Sequence, residues 1–198
     1  IGKRTRNSMV RYSLFTFGSG LASIAVGNID QVMVGAMLHD GLSKVAYYAV
    51  AMFLASVIMI PARALLQPVL PIMADAWRKR DHAKIQMLYH RTASIQLVVA
   101  AFILLGLWTN ADALFTFLKP EYDVGKPVLF ILGITNVLNL STGLSGGIVS
   151  TSRSYWFDAV SSVLYLVLNI VFDYFFILKW GLIGVAWSTL VTLLLVVG

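Results

Sequence analysis

The stretch TASIQLVVAAFILLGLWTNADALFTFL, from Thr92 to Leu118, carries a single ionisable side chain, Asp112, near one end. A helix rises about 1.5 Å per residue, so this run can cross a hydrocarbon core of roughly 30 Å. Five further apolar segments flank it: about Tyr12 to Leu38, Val45 to Met73, Pro127 to Ser152, Trp156 to Leu178, and one from Gly181 to the end of the chain. The segment from Pro127 to Ser152 has no Asp, Glu or Lys and no Arg until Arg153. Apolar residues come in long blocks, not short periodic stripes, so lipid is the expected solvent. Alternating ten-residue strands are missing, which speaks against a β-barrel. The expected fold is all-α: a polytopic membrane helix bundle of about six transmembrane helices, forming a single transmembrane domain over residues 1–198.

Composition agrees. Hydrophobic residues make up 59% of the chain and charged residues 12%, with a mean hydropathy of +0.81. A soluble domain carries about 25% charged residues, and so few charges would leave large apolar patches in water. With no cysteine, a disulfide framework, a thiolate nucleophile and a Cys-ligated metal are excluded. His39, His82 and His90 fall in or beside loops without metal-ligand spacing, and no cofactor is expected. The net charge of +6 sits in short segments between apolar blocks, where topology signals belong, so nucleic acid is not an expected partner. The chain starts at Ile1 without a signal-peptide pattern and ends at Gly198 inside an apolar run. It is expected to be a portion of a longer protein.

The basic residues also orient the chain. Lys3, Arg4, Arg6 and Arg11 precede the first span, Arg78, Lys79, Arg80, Lys84 and Arg91 lie between the second and third, and Arg153 lies between the fourth and fifth. The opposite side holds Lys44, Lys119, Lys126 and Lys179, offset by Asp40, Asp112, Glu121 and Asp123. This alternation is what the positive-inside rule requires of six spans, with residue 1 on the cytoplasmic side. Residues 74–91 read as a cytoplasmic amphipathic connector. Trp77, Ile85 and Leu88 would share one face there, with Arg78, Lys79 and Lys84 toward water or lipid phosphates; an ordinary solvated connector is the other reading.

A charge deep in a bilayer costs several kcal/mol unless paired or solvated, so it faces a bundle interior or a wet cavity. Asp30 lies in the first span beside Asn28 and Gln31. Arg63 lies in the second with Gln67 one turn later, and Asp173 in the fifth, one turn after Asn169. Asn136 and Asn139 form a similar patch in the fourth. Arg63 stays charged in any protein and matches phosphate geometry bidentately, so it is a candidate for attracting an anionic head group such as a lipid pyrophosphate. The plainer reading pairs Arg63 with Asp30. The asparagines read first as interhelical hydrogen-bond partners, and Asp173 as lying close to the outer end of its helix, within reach of water. Ser19, Ser23, Gly27, Gln31 and Gly35 recur every four positions on the first span, and Gly143 and Gly147 make a Gly-x-x-x-Gly in the fourth, stripes that suit close helix packing. Pro61, Pro68 and Pro71 are expected to bend or break the second span.

The residues carry a resemblance. Asn28-Ile-Asp30-Gln-Val-Met33-Val-Gly35, followed by Tyr47-Tyr48-Ala49 and Pro61, resembles the seventh and eighth helices of bacterial polysaccharide biosynthesis proteins. These are oligosaccharide flippases of the multidrug/oligosaccharidyl-lipid/polysaccharide exporter superfamily. The run from Asn169 through Asp173, Gly181 and Gly184 to Ala186 resembles a motif joining two later helices there. Pro71 and the Tyr89-His-Arg91 start of the third span also fit, so the resemblance covers nearly the whole chain. It implies the second six-helix lobe of a two-lobe transporter in the bacterial cytoplasmic membrane. Such a transporter carries undecaprenyl-pyrophosphate-linked oligosaccharide to the outer leaflet by alternating access, the first lobe of the same protein being the partner. Asp173 departs from the family, which more often has Asn there.

No catalytic triad, metal motif or phosphate loop is present, so an enzyme is not expected. The rival readings are a drug/cation antiporter of the same superfamily, which would favour carboxylates over Arg in its cavity, and a membrane enzyme of envelope assembly. The latter needs His, Glu or Arg clusters in outer loops, and the loop from Asp112 to Lys126 has no His.

Overall fold

Without water to satisfy main-chain groups, an apolar chain must close its hydrogen bonds within each segment, and the helix does this. The computed structural model describes residues 13–14, 17–18, 20–21, 24, 28–142 and 155–197, with 155–159, 162 and 197 described by backbone alone. Every regular element among the described residues is helical. α1 covers 28–37; α2 is Gly41–Ser56, followed by a 3-10 turn at Val57–Met59; α3 is Ile60–Lys79; and α4 is His82–Thr109. α5 is Ala111–Leu118, followed by a second 3-10 segment at Pro120–Gly125; α6 is Lys126–Ser141; α7 is Tyr155–Trp180; and α8 is Leu182–Val197. Among the described residues, four helical stretches are long and apolar enough to cross a membrane: Gly41–Lys79, His82–Thr109, Pro120–Ser141 and Val163–Trp180. The flanking basic residues up to Arg11, the small residues Ser19, Ser23 and Gly27, and Gly143, Gly147 and Arg153 lie outside the described residues.

α6 is the central post. It packs against α2, α4 and α8 and buries Val128, Leu129, Ile131, Leu132 and Thr135. A helix apolar all round belongs in such a position. The largest core joins Val34, Tyr48, Ala51, Phe115, Leu129 and Val185. A second cluster joins Ile58 and Ala62 to Ala100 and Leu140.

Three connections meet at one end of the bundle. Tyr47 and Tyr122 stack edge to face at 5.0 Å, which places the start of α2 beside the segment before α6. A Cβ on Gly181 would lie 4.0 Å from Leu38, so the α7–α8 turn adjoins the α1–α2 turn. The basic corner between α3 and α4 ends the long Gly41–Lys79 stretch at the other pole.

The prolines differ in their effect. α3 runs unbroken through Pro68 and Pro71, and the irregularity sits earlier, at Val57–Met59. Pro61 has no N–H for the Val57 carbonyl, which instead takes the Ile60 N–H in a tighter turn. The third expected span divides at Asn110. There the Asn110 amide donates to the Gly106 carbonyl at 2.8 Å and the Thr109 hydroxyl to the Leu105 carbonyl at 2.9 Å, side-chain bonds that compete with the next helical turn. Residues 74–91 form no separate element. Ala74–Lys79 close α3, Arg80 turns in the left-handed region, and Asp81 caps α4 by accepting the Lys84 N–H at 3.0 Å. Ile85 and Leu88 join Met73 and Ala76 in a small core, whereas Trp77 stays exposed against His82.

Gly181 and Gly184 make the α7–α8 hairpin tight. Gly181 has φ +59°, open to glycine at little cost, and a Cβ on Gly184 would collide with the Phe176 carbonyl.

Candidate functional site

The shared end of the bundle sets depth. Asp30 lies eight residues before Leu38 and Asp173 eight before Gly181; Tyr48 lies seven after Gly41 and Thr189 seven after Leu182. At about 1.5 Å per residue, all four sit in one layer about 11 Å inside that end. Their side chains meet. Asp30 Oδ2 accepts from the Tyr48 hydroxyl at 2.7 Å and from the Thr189 hydroxyl at 3.1 Å. Asp173 Oδ1 accepts from the Ser188 hydroxyl. The two carboxyl groups are thus anchored to consecutive residues of α8.

Donors are scarce there. Ser188 and Thr189 have one proton each and are also within bonding distance of the Val185 carbonyl, at 2.7 and 3.0 Å. Asp30 Oδ1 and Asp173 Oδ2 are buried without a partner among the described residues, as are both polar atoms of the Asn169 amide and the Thr192 hydroxyl. Asn169 and Thr192 lie one turn further in on α7 and α8. No described basic side chain forms an ion pair with either carboxylate; the described ion pairs join Asp75 to Arg78 and Lys79, and Lys126 to Asp112 and Asp123.

The sequence candidates divide accordingly. Asp30, Asn169 and Asp173 come together, and Asp173 is 0% exposed, which corrects the expectation that water reaches it. α8 and α1 cover it even though its helix ends two turns later. The pairing of Arg63 with Asp30 is not formed: Asp30 is held by Tyr48 and Thr189, and Arg63 is exposed on α3. Gln67 is exposed beside it. Asn28 donates to the Ile24 carbonyl at 2.7 Å, four residues earlier, and Gln31 reaches the Met52 sulfur at 3.8 Å. Asn136 bridges helices by donating to the Ala55 carbonyl at 3.0 Å, as an interhelical partner should, while Asn139 is exposed. The sequence reading passed over Ser188, Thr189 and Thr192. Their signal was present as three hydroxyls at spacings of three and four on one face of an otherwise apolar span. Tyr48 entered only through the resemblance.

Among the described residues, then, the chain is a multi-pass helical membrane bundle with one buried acidic cluster and one exposed cationic helix face. The family model described as polysaccharide biosynthesis protein matches residues 1–119, and the chain belongs to that family. It is 22% identical over 189 residues to the probable low-salt glycan biosynthesis flippase Agl15 of Haloferax volcanii, covering 94% of this chain and 39% of that protein. Among solved structures it resembles a MOP superfamily transporter from Pyrococcus furiosus, described as having a binding pocket of reversed polarity, with TM-score 0.76 and 19% identity. It also resembles a multidrug resistance MATE family transporter of that superfamily in an outward-facing conformation, with TM-score 0.77 and 19% identity. Each match covers 94% of this chain and 42% of the other. The fold is thus that of part of a MOP superfamily transporter, and the chain spans about two fifths of the length of the relatives it matches.

Proposed function

We propose that the chain is one lobe of a flippase that moves lipid-linked oligosaccharide across the cytoplasmic membrane for cell-surface polysaccharide synthesis. In this reading the α3–α4 corner is cytoplasmic, and the remaining lobe of the same protein closes the cavity.

The exposed face of α3 carries the proposal. Arg63, Ala64, Gln67, Pro68 and Pro71 all lie on it. Pro68 and Pro71 lack the N–H groups that would bond the carbonyls of Ala64 and Gln67. A guanidinium, an amide and two carbonyls without helical partners cannot face hydrocarbon. They line a wet surface toward the other lobe, where Arg63 meets the phosphates of a polyprenyl-linked sugar bidentately. The acidic side chains that a drug or cation antiporter would present in its cavity are here buried between helices, which favours the anionic substrate. Transporters of this fold captured outward-facing and inward-facing support alternating access.

Replacing Arg63 by Gln and by Lys in the full-length protein tests this. Transport of lipid-linked oligosaccharide is expected to fall about tenfold or more with Gln, the loss of a charge-assisted hydrogen bond worth roughly 1.5–3 kcal/mol. Lys should restore part of it at unchanged protein level. Wild-type transport with Gln would overturn the reading.

A further inference from the structure

We infer that Arg78 and Lys79, at the α3–α4 corner, form a loading station for the pyrophosphate of the lipid-linked substrate, with Asp75 as the counter-ion that the substrate displaces. The inference rests on the proposed function and adds to it a second anion site, at the membrane surface and apart from Arg63.

One carboxylate holds two cations here. Asp75 Oδ1 accepts from Arg78 Nη2 at 2.8 Å, and Asp75 Oδ2 lies 2.7 Å from Lys79 Nζ. A guanidinium and an ammonium are thus gathered around one small anion, with a positive charge left over. The Arg78 and Lys79 side chains are 81% and 65% exposed, so water screens both pairs and holds them weak. Among the described bonds, Asp75 takes a single N–H of the Arg78 fork, which has five. Arg80 and Lys84 next to them outnumber Asp81, so the corner draws anions from a distance. A carboxylate yields such a place to a stronger anion. A pyrophosphate carries charge on each of its two phosphoryl groups, and its oxygens suit both the fork and the ammonium. A phospholipid head with a single phosphate gains less over Asp75.

Position joins this corner to Arg63. Arg63, Gln67, Pro71, Ala74 and Arg78 fall within about 80° of one another around α3, and all five are exposed. Arg78 lies roughly 22 Å from Arg63 along that face, at about 1.5 Å per residue. Between them stand an amide, a proline that frees the Gln67 carbonyl, and an alanine. No large apolar side chain interrupts the track. Trp77, 37% exposed beside Arg78, is a side chain suited to the membrane–water interface, the depth at which the phosphates of a lipid lie. In the orientation proposed above, the corner is on the cytoplasmic side, where the substrate starts.

The test uses full-length protein in vesicles of neutral phospholipid. It reads the initial rate of transport against the concentration of a polyprenyl-pyrophosphate-linked oligosaccharide. Arg78→Gln should raise the half-saturating concentration on the order of tenfold, with a smaller change in maximal rate. Asp75→Asn removes the competing anion and should lower that concentration several-fold. Either substitution breaks the ion pair, so a merely structural role predicts changes in the same direction. Arg63→Gln should instead lower the maximal rate, and the two readings therefore fail separately. Changes of the same sign in Arg78→Gln and Asp75→Asn would overturn the inference, as would a wild-type half-saturating concentration with Arg78→Gln. So would competition from bulk lipid, seen as phosphatidylglycerol in the vesicles raising the wild-type value to that of Arg78→Gln.

Discussion

Tyr48 is fully buried and gives its only hydroxyl proton to Asp30, which makes it the donor that the acidic layer does not share with a main-chain carbonyl. Tyr48→Phe keeps the ring in the core and removes that proton. The variant is expected to unfold more easily by about 1 kcal/mol, the scale of an interhelical hydrogen bond in a membrane. Thermal unfolding of the full-length protein in detergent measures it, and an unchanged midpoint would contradict the hydrogen bond. Single residues were legible in the sequence where their cost is high. Charges in an apolar span declare themselves, so Asp30, Arg63 and Asp173 stood out. Hydroxyls bond their own helix and are tolerated in lipid, so Ser188, Thr189 and Thr192 did not. Nor does a sequence of separate spans say which partner a buried charge takes: Arg63 and Asp30 have opposite signs in adjacent spans, yet their helices turn them apart.

Glycines separate the elements' needs most cleanly. Gly184 packs its Cα against the Phe176 carbonyl, whereas a Cβ on Gly106 in α4 would meet nothing within 4 Å. Gly184→Ala should therefore destabilise the α7–α8 hairpin, by about 1–3 kcal/mol as overpacking does. Gly106→Ala should leave stability unchanged or raise it by up to about 1 kcal/mol through lower backbone entropy in the unfolded chain. Unfolding midpoints for the pair check the contrast, and equal effects would refute it. Elements were legible in existence among the described residues, because long apolar runs mark where helices must form. Their breaks were less so. The same residue type, proline, disturbs the helix before Pro61 and passes within it at Pro68 and Pro71. The difference lies in position: Pro61 sits at the start of α3, while the carbonyls freed further along open onto the exposed face. Residues 74–91 misled for a related reason, since amphipathic spacing is the same for a helix lying on a membrane and for two helices meeting at a corner.

At the scale of the whole molecule, the chain is one bundle organised around α6, with its acid cluster buried near the end that gathers three turns and its cationic face turned outward on α3. Both follow from the same rule: polar groups among apolar helices must meet each other, an ion or water. The decisive measurement is accessibility of position 63 in full-length protein within sealed membranes. This chain has no cysteine of its own, so Arg63→Cys and Phe102→Cys report cleanly in a background with any cysteines elsewhere in the protein removed. Phe102 is a strongly exposed apolar side chain on α4. Position 63 is expected to react with a membrane-impermeant, charged thiol reagent, and to be shielded by added lipid-linked oligosaccharide, while position 102 stays unreactive. A position 63 as unreactive as position 102 would mean that α3 turns this face to lipid, and would contradict the account.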